Sequence, residues 1–299
     1  METEQKIQKK IKRIKEKRSI HLPLMVNSYT KFWQASKNTV LYCNGDSFTW
    51  GTGIGNLEHS PMLAYEQFKK SRLENSWPGQ LSKLTDCDYI NDAWAGGSND
   101  RICRRTKKFI SEIDDCARVK ALICWSTPLR TEHKRPTVKQ DTEVPYLKQG
   151  RTGPYDRDGT DTYVQMHHSG LTSPTYISEQ DKSVLKEFFM KHNDADLLVR
   201  FIQQVIDLQN FLKQNKVDYI FFNAFGFKEL YREHVQDSRI YPLLDNIDFD
   251  KFMGWPDEDF CVWSYMEFGE DKLGSGHLGV ASHKHMAVLL NNKLKELYG

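Results

Sequence analysis

Residues 41–53, LYCNGDSFTWGTG, set a lone serine between an apolar run and a cluster of small residues. The run leading into it, Thr39-Val40-Leu41-Tyr42-Cys43, has the β-branched and aromatic bias of a buried strand. Gly45-Asp46-Ser47 ends that strand and places Ser47 where a loop or helix begins. On this tripeptide alone a turn or N-cap serine is the ordinary reading, because Gly-Asp-Ser is common turn chemistry.

Working outward, strand-like runs recur at 40–43, 88–93, 119–125, 217–223 and 260–265. Segments of helical periodicity, such as 63–84 and 197–214, separate most of them. Such alternation predicts a parallel sheet with helices on both faces. In sheets of that kind ligands bind at the carboxyl ends of the strands, where the connecting loops gather. Ser47 falls at that edge, which suits a nucleophile that must generate and stabilise an oxyanion.

The pattern breaks between 129 and 186 into a polar stretch rich in Thr, Asp, Arg, Tyr and Gly. A connection that long inside a compact domain is usually functional or disordered. It reads as an excursion over the strand ends, a lid or substrate wall, with an unstructured surface insertion as the alternative. Residues 1–37 form a separate basic arm in this reading, with Ile7, Ile11 and Ile14 at helical spacing among Lys and Arg. The arm is either a solvated helix docking its Ile stripe on its own domain or, as the lesser alternative, an element for a protein assembly partner, nucleic acid or membrane. Residues 38–299 form the main domain, and no internal repeat is present.

Composition narrows the classes. A chain of 299 residues with net charge +2 and 39% hydrophobic content carries no whole-chain commitment to nucleic acid. The first twenty residues have no apolar core of the signal-peptide or membrane-span type, so a cytoplasmic protein is expected. None of the six cysteines forms a CxxC pair, which disfavours a structural zinc site or a disulfide framework. No metal and no cofactor is expected. His283 and His285 lie two apart on a predicted helix and face different ways, and His167-His168 reads as an incidental exposed pair.

Two further stretches change the weight on Ser47. Ala95-Gly96-Gly97-Ser98-Asn99-Asp100-Arg101-Ile102 follows the second strand, where a Gly pair lets backbone approach a ligand and Asn99 offers an amide. Gly276-His277-Leu278-Gly279 places His277 in a Gly-rich loop before a helix running to Tyr298. In order along the chain, these three stretches resemble the GDSL or SGNH hydrolases, a family of three-layer α/β/α, flavodoxin-like esterases. The resemblance covers residues 38–298. It implies Ser47 as nucleophile with Asp46 beside it, Gly97 as a backbone oxyanion donor and His277 as general base. The wording Gly-Ser-Asn-Asp-Arg-Ile, with the later Trp-Ser-Thr-Pro-Leu-Arg, is similar to SGNH-like proteins of tailed phages.

The chain departs from the family pattern twice. Gly97-Ser98-Asn99-Asp100 spells the third motif, but only two strands precede it, so the stretch is assigned to the second. Either Asn99 reaches across to supply the missing amide, or Ser126 or Thr127 supplies a hydroxyl after the third strand. The acid is also displaced, because the family's Asp positions before the His are Gly274 and Ser275 here. Asp271 is the nearest candidate by a longer path, and a Ser-His dyad is the alternative. Arg101, Arg104 and Arg105 could hold an anionic group or simply coat a surface helix. Trp50, Trp94 and Trp125 fall at strand ends and could wall a pocket that stacks on a sugar or acyl group, or pack the core. The expected activity is hydrolysis of a carboxylic ester, such as an O-acetyl group on carbohydrate. The alternative is a silent scaffold serving as a binding or virion-associated module.

Overall fold

The computed structural model describes residues 39–54, 71–135, 155–158, 161–167, 179–226, 228–255, 261–264 and 277–299. The basic arm, Asp271 and His168 lie outside the described residues, as do the side chain of His167 and the chain between 136 and 154.

Strand β1 (Val40–Asn44) is buried at every position. It lies between β2 (Asp88–Asn91) and β3 (Val119–Trp125), parallel to both, with Cys43 opposite Asn91 on one side and Leu122 on the other. β3 pairs in parallel with β7 (Asp218–Asn223), which pairs with the two-residue strand β8 (Phe252–Met253). The five-stranded sheet therefore runs β2-β1-β3-β7-β8.

Successive side chains of a strand point to opposite faces, and two apolar layers follow. Val40 and Tyr42 of β1 join Ile102 and Phe109 of α3 (Asn99–Ser111) and Phe201, Ile202 and Leu208 of α5 (Asp194–Gln214). Leu41 and Cys43 join Trp77 and Leu81 of α2 (Trp77–Thr85) and Met286, Leu290 and Leu294 of α8 (Val280–Tyr298). The result is three layers, helix on sheet on helix. Burying a side chain of this size contributes about 1.5–3 kcal/mol, so the two layers dominate stability. Tyr42 also stacks on Phe109 with ring centroids 4.3 Å apart.

Two helix starts are fixed by local caps. The α5 start carries a reciprocal capping box between Asn193 and Asp196. The α3 start is capped by Ser98, whose hydroxyl accepts the Arg101 N–H. The periodic segment read at 63–84 is interrupted at Ser76: residues 71–75 are helical, Pro78 stands in the first turn of α2, and 55–70 lie outside the described residues. A Cβ on Gly79 would fall 1.9 Å from the Leu73 carbonyl, so the two helical pieces meet backbone to backbone.

The strand-like run at 260–265 needs correction. Within it Cys261 makes a single bridge to Asn223 and the chain turns away at once. The fifth strand is Phe252–Met253, too short to show an alternation in sequence.

The described part of the polar excursion is a three-stranded antiparallel sheet of order β4-β6-β5, made of Arg130–Arg135, Asp161–His167 and Tyr155–Asp158. Polar contacts join it to the start of α3. Gln165 Oε1 accepts both the Ser98 N–H and hydroxyl at 3.0 Å, and Gln165 Nε2 donates to Glu132 at 2.8 Å. Asp100 accepts from the Thr131 hydroxyl, the Glu132 N–H and the Gln204 amide, and pairs with Arg200. Two further helices, α4 (Glu179–Lys191) and α6 (Lys228–His234), and the short α7 (Tyr241–Leu244) complete the described chain.

A buried charge network pins α3 to the sheet. Asp92, just past β2, accepts from Arg105 Nη2 at 2.9 Å and from the Tyr42 hydroxyl at 3.0 Å, while Arg101 donates to its carbonyl at 2.8 Å. Asn44 adds amide donations to Tyr42, the Ile102 carbonyl and Thr106. Removing one partner of a buried pair leaves an uncompensated charge. Asp92→Ala is accordingly expected to lower stability by about 3–5 kcal/mol, read as a fall in the urea midpoint with an unchanged slope.

Candidate active site

The site begins with the closeness of two loops. Gly45 follows β1 with no room for a side chain: an added Cβ would lie 2.3 Å from Thr49 Oγ1 and 2.9 Å from the Cys124 carbonyl. The chain then turns directly into the short helix α1 (Ser47–Trp50), capped by Asp46, whose Oδ1 accepts the Phe48 N–H at 3.0 Å. Gly51 ends α1 in the left-handed region at φ 80°. Ser47 sits at the first position of α1, 7% exposed, and its N–H has no partner among the described residues.

Asp46 is fully buried, and three groups hold it. Besides the Phe48 N–H, its Oδ2 accepts from the Ser126 hydroxyl at 3.1 Å and from Arg130 Nη1 at 2.9 Å. Arg130 Nη1 also donates to Ser126 Oγ at 2.9 Å. Burial pushes the Asp46 carboxyl above its ordinary range, and Arg130, the two hydrogen bonds and the charge of His277 pull it back in part.

His277 reaches this cluster from the other end of the chain. Its ring centroid lies 5.3 Å from that of Phe48, the residue after Ser47, and its charge acts through space on Asp46. Phe48 in turn meets Phe225 and Trp263 edge-to-face, and those two rings pack tilted on each other, with centroids 5.2–5.9 Å apart.

The other expected site residues are placed as follows. Gly97 donates its N–H to the Trp94 carbonyl at 2.8 Å, closing a turn in which Gly96 takes φ 78°. Asn99 is buried and reciprocally bonded to the end of β3: Oδ1 accepts the Ser126 N–H at 2.8 Å and Nδ2 donates to the Ser126 carbonyl at 3.1 Å. These bonds fix the second-strand loop to the third-strand loop. Ser126 is drawn into the Asp46 cluster, and Thr127 Oγ1 accepts the Leu129 N–H. The three arginines of α3 are committed within the protein: Arg101 and Arg105 to Asp92, Arg104 to Glu132 through two bonds of 2.8 and 2.9 Å. Trp125 is a core residue, edge-on to Phe221 at 5.3 Å and fully buried. Trp50 and Trp94 are half-buried neighbours, 6.3 Å apart, with the Arg72 guanidinium 3.5 Å over Trp50.

Arg130 and Asp92 are the consequential residues that the sequence reading passed over. Arg130 could have been found from its place, five positions past the end of β3 at the ligand-binding edge. Among the described residues there is no cluster of three or more His, Cys, Asp or Glu placed to hold a metal, and no helix long and apolar enough to cross a membrane.

Set apart from the excursion, the strands follow the order 2-1-3-4-5, which with helices on both faces defines a doubly wound α/β protein of flavodoxin type. The chain belongs to a family of unknown function (DUF6071), whose model matches residues 62–284. No curated protein matches it. Among solved structures it is similar to a member of the lipolytic G-D-S-L family from Veillonella parvula, at 10% identity and TM-score 0.42, over 87% of this chain and 98% of that one. It is also similar to an acetyl xylan esterase from Butyrivibrio proteoclasticus, at 13% identity and TM-score 0.40, over 86% of this chain and 63% of that one. The fold assignment rests on strand order and register.

His283 has a structural task. It is buried on α8, and its Nδ1 accepts the Trp77 N–H at 3.1 Å, which satisfies an otherwise open donor at the start of α2. Burial, then the charge of His277, lowers its pKa to about 3. Below about pH 6.5 the unfolded chain takes up a proton that the folded one refuses, so this group's contribution is complete above that pH and is lost as pH falls toward 3. The Asp46 carboxyl works in the opposite sense. Comparing His283→Gln with the parent isolates the histidine: the parent's stability should gain about 1.4 kcal/mol per pH unit relative to the variant between pH 4 and 6, measured by denaturant titration.

Proposed function

We propose that this protein is a serine hydrolase that cleaves carboxylic esters through an acyl-enzyme on Ser47, with His277 as the base. The observation that supports the reading is the packing of His277 against Phe48, the residue after Ser47, at the carboxyl end of the central strand. Ser47 Oγ attacks the ester carbonyl while His277 takes its proton; the imidazolium then protonates the departing alcohol, and water repeats the cycle in reverse. The buried carboxylate of Asp46 favours the imidazolium through space. Asp271, outside the described residues, is the candidate for orienting the ring. The Ser47 N–H, without a partner among the described residues, is available to the oxyanion. Gly97 and Asn99 join it only on exchanging their present bonds. The half-buried Trp50–Trp94 pair suits a sugar face, which supports a carbohydrate O-acetyl ester as substrate.

The engagement of Gly97 and Asn99 in internal bonds favours one rival, a scaffold that binds without turnover. One experiment separates the two. A fluorophosphonate probe should label Ser47, as located by peptide mass spectrometry, and labelling should vanish in His277→Ala. Ser47→Ala should lose esterase turnover by roughly a thousandfold or more while keeping the parent's circular dichroism. A folded parent that takes no label would leave the binding scaffold standing.

A further inference from the structure

We propose that Arg130 forms an anion subsite beside Ser47, taking a carboxylate or phosphate group on the edge of its guanidinium that faces away from Asp46. A guanidinium carries five N–H donors in a fixed planar fork. In Arg130, Nη1 meets both Asp46 and Ser126, while Nε and Nη2 have no hydrogen-bond partner among the described residues. The side chain is only 16% exposed. The pair with Asp46 balances its charge and leaves the Nε–Nη2 edge open to an incoming acceptor.

The free edge has the right chemistry. Nε–H and Nη2–H run parallel and match two oxygens of one carboxylate or phosphate. Arg104 shows the same edge filled: its Nε and Nη2 hold the two oxygens of Glu132 at 2.8 and 2.9 Å. Around Arg130 the surroundings are apolar. Its Cζ lies 5.0 Å from the Phe225 ring centroid, and Phe225 meets Trp263 and Phe48, the last of which follows Ser47 and packs on His277. A low local dielectric strengthens a charge-assisted bond there. Asp46 is the carboxylate facing the guanidinium, and it is engaged at Nη1 by a geometry that leaves the other edge open.

The subsite stands on this geometry. That the anion belongs to a substrate rests on the hydrolase reading. The full chain is titrated calorimetrically with inorganic phosphate and, separately, with succinate at constant ionic strength. Saturable binding of either ion is expected, and the stronger arm identifies the source. Arg130→Lys, which keeps a cation opposite Asp46 but lacks the fork, should weaken binding roughly tenfold or more, equivalent to about 1.4 kcal/mol. Ser47→Ala should leave it unchanged. No saturable binding in the parent, or equal binding in Arg130→Lys, overturns the proposal. Should the lysine variant fail to fold, the parent alone decides: phenylglyoxal modification of Arg130, read by peptide mass spectrometry, is slowed by the bound ion, and an unprotected Arg130 overturns the subsite. Failure of the hydrolase reading is seen separately. Arg130-dependent binding without fluorophosphonate labelling retains the subsite and removes the enzyme, whereas labelling without such binding does the reverse.

Discussion

A carboxylate with no exposure to solvent, Asp46, governs how the site is put together. Placing a charge there costs several kcal/mol unless hydrogen bonds and a countercharge replace water, and the replacements come from three places along the chain. The Phe48 N–H shapes α1, Ser126 brings in the end of β3, and Arg130 brings in the first strand of the excursion. Asn99 then ties the start of α3 to Ser126. Loops from three neighbouring strands thus share one polar knot at the residue before Ser47.

The sheet was legible because its central strands are almost continuously apolar, Lys120 and Asn44 apart. The 40–43 and 119–125 runs cannot alternate with polar residues when helices cover both faces. The edge was not. Phe252–Met253 is a strand only because β7 is beside it, and two residues carry no period. Proline explains the other departure: Pro78 begins a new helix where periodicity alone ran on through Ser76.

At the site, residue type and order along the chain pointed to Ser47 and His277, and the fold brings them to one place. Partners were illegible. Arg101, Arg104 and Arg105 look like a free basic face in sequence, yet Asp92 and Glu132 neutralise them from distant positions. Asn99 offers a side-chain amide, but its bonds depend on the backbone of Ser126, which no spacing reveals. Trp125 closes a strand whose side chains alternate, so it faces the α5 layer and packs on Phe201 instead of walling a pocket.

The bond from the Trp77 N–H to His283 spans 206 positions. One whole side of the sheet, with Leu41, Cys43, Leu122, Cys124, Ile220 and Phe222, is roofed by the helices that carry these two residues. A ribosome making this chain releases β1 long before α8, so the growing chain holds an open oily sheet until α8 emerges. Exposed apolar strands at that stage invite aggregation, and contacts this distant in sequence form slowly. His277, immediately ahead of α8, comes into place with the roof. The Phe48–His277 contact therefore forms as part of the closing event, and a chain that lacks α8 has an uncovered core.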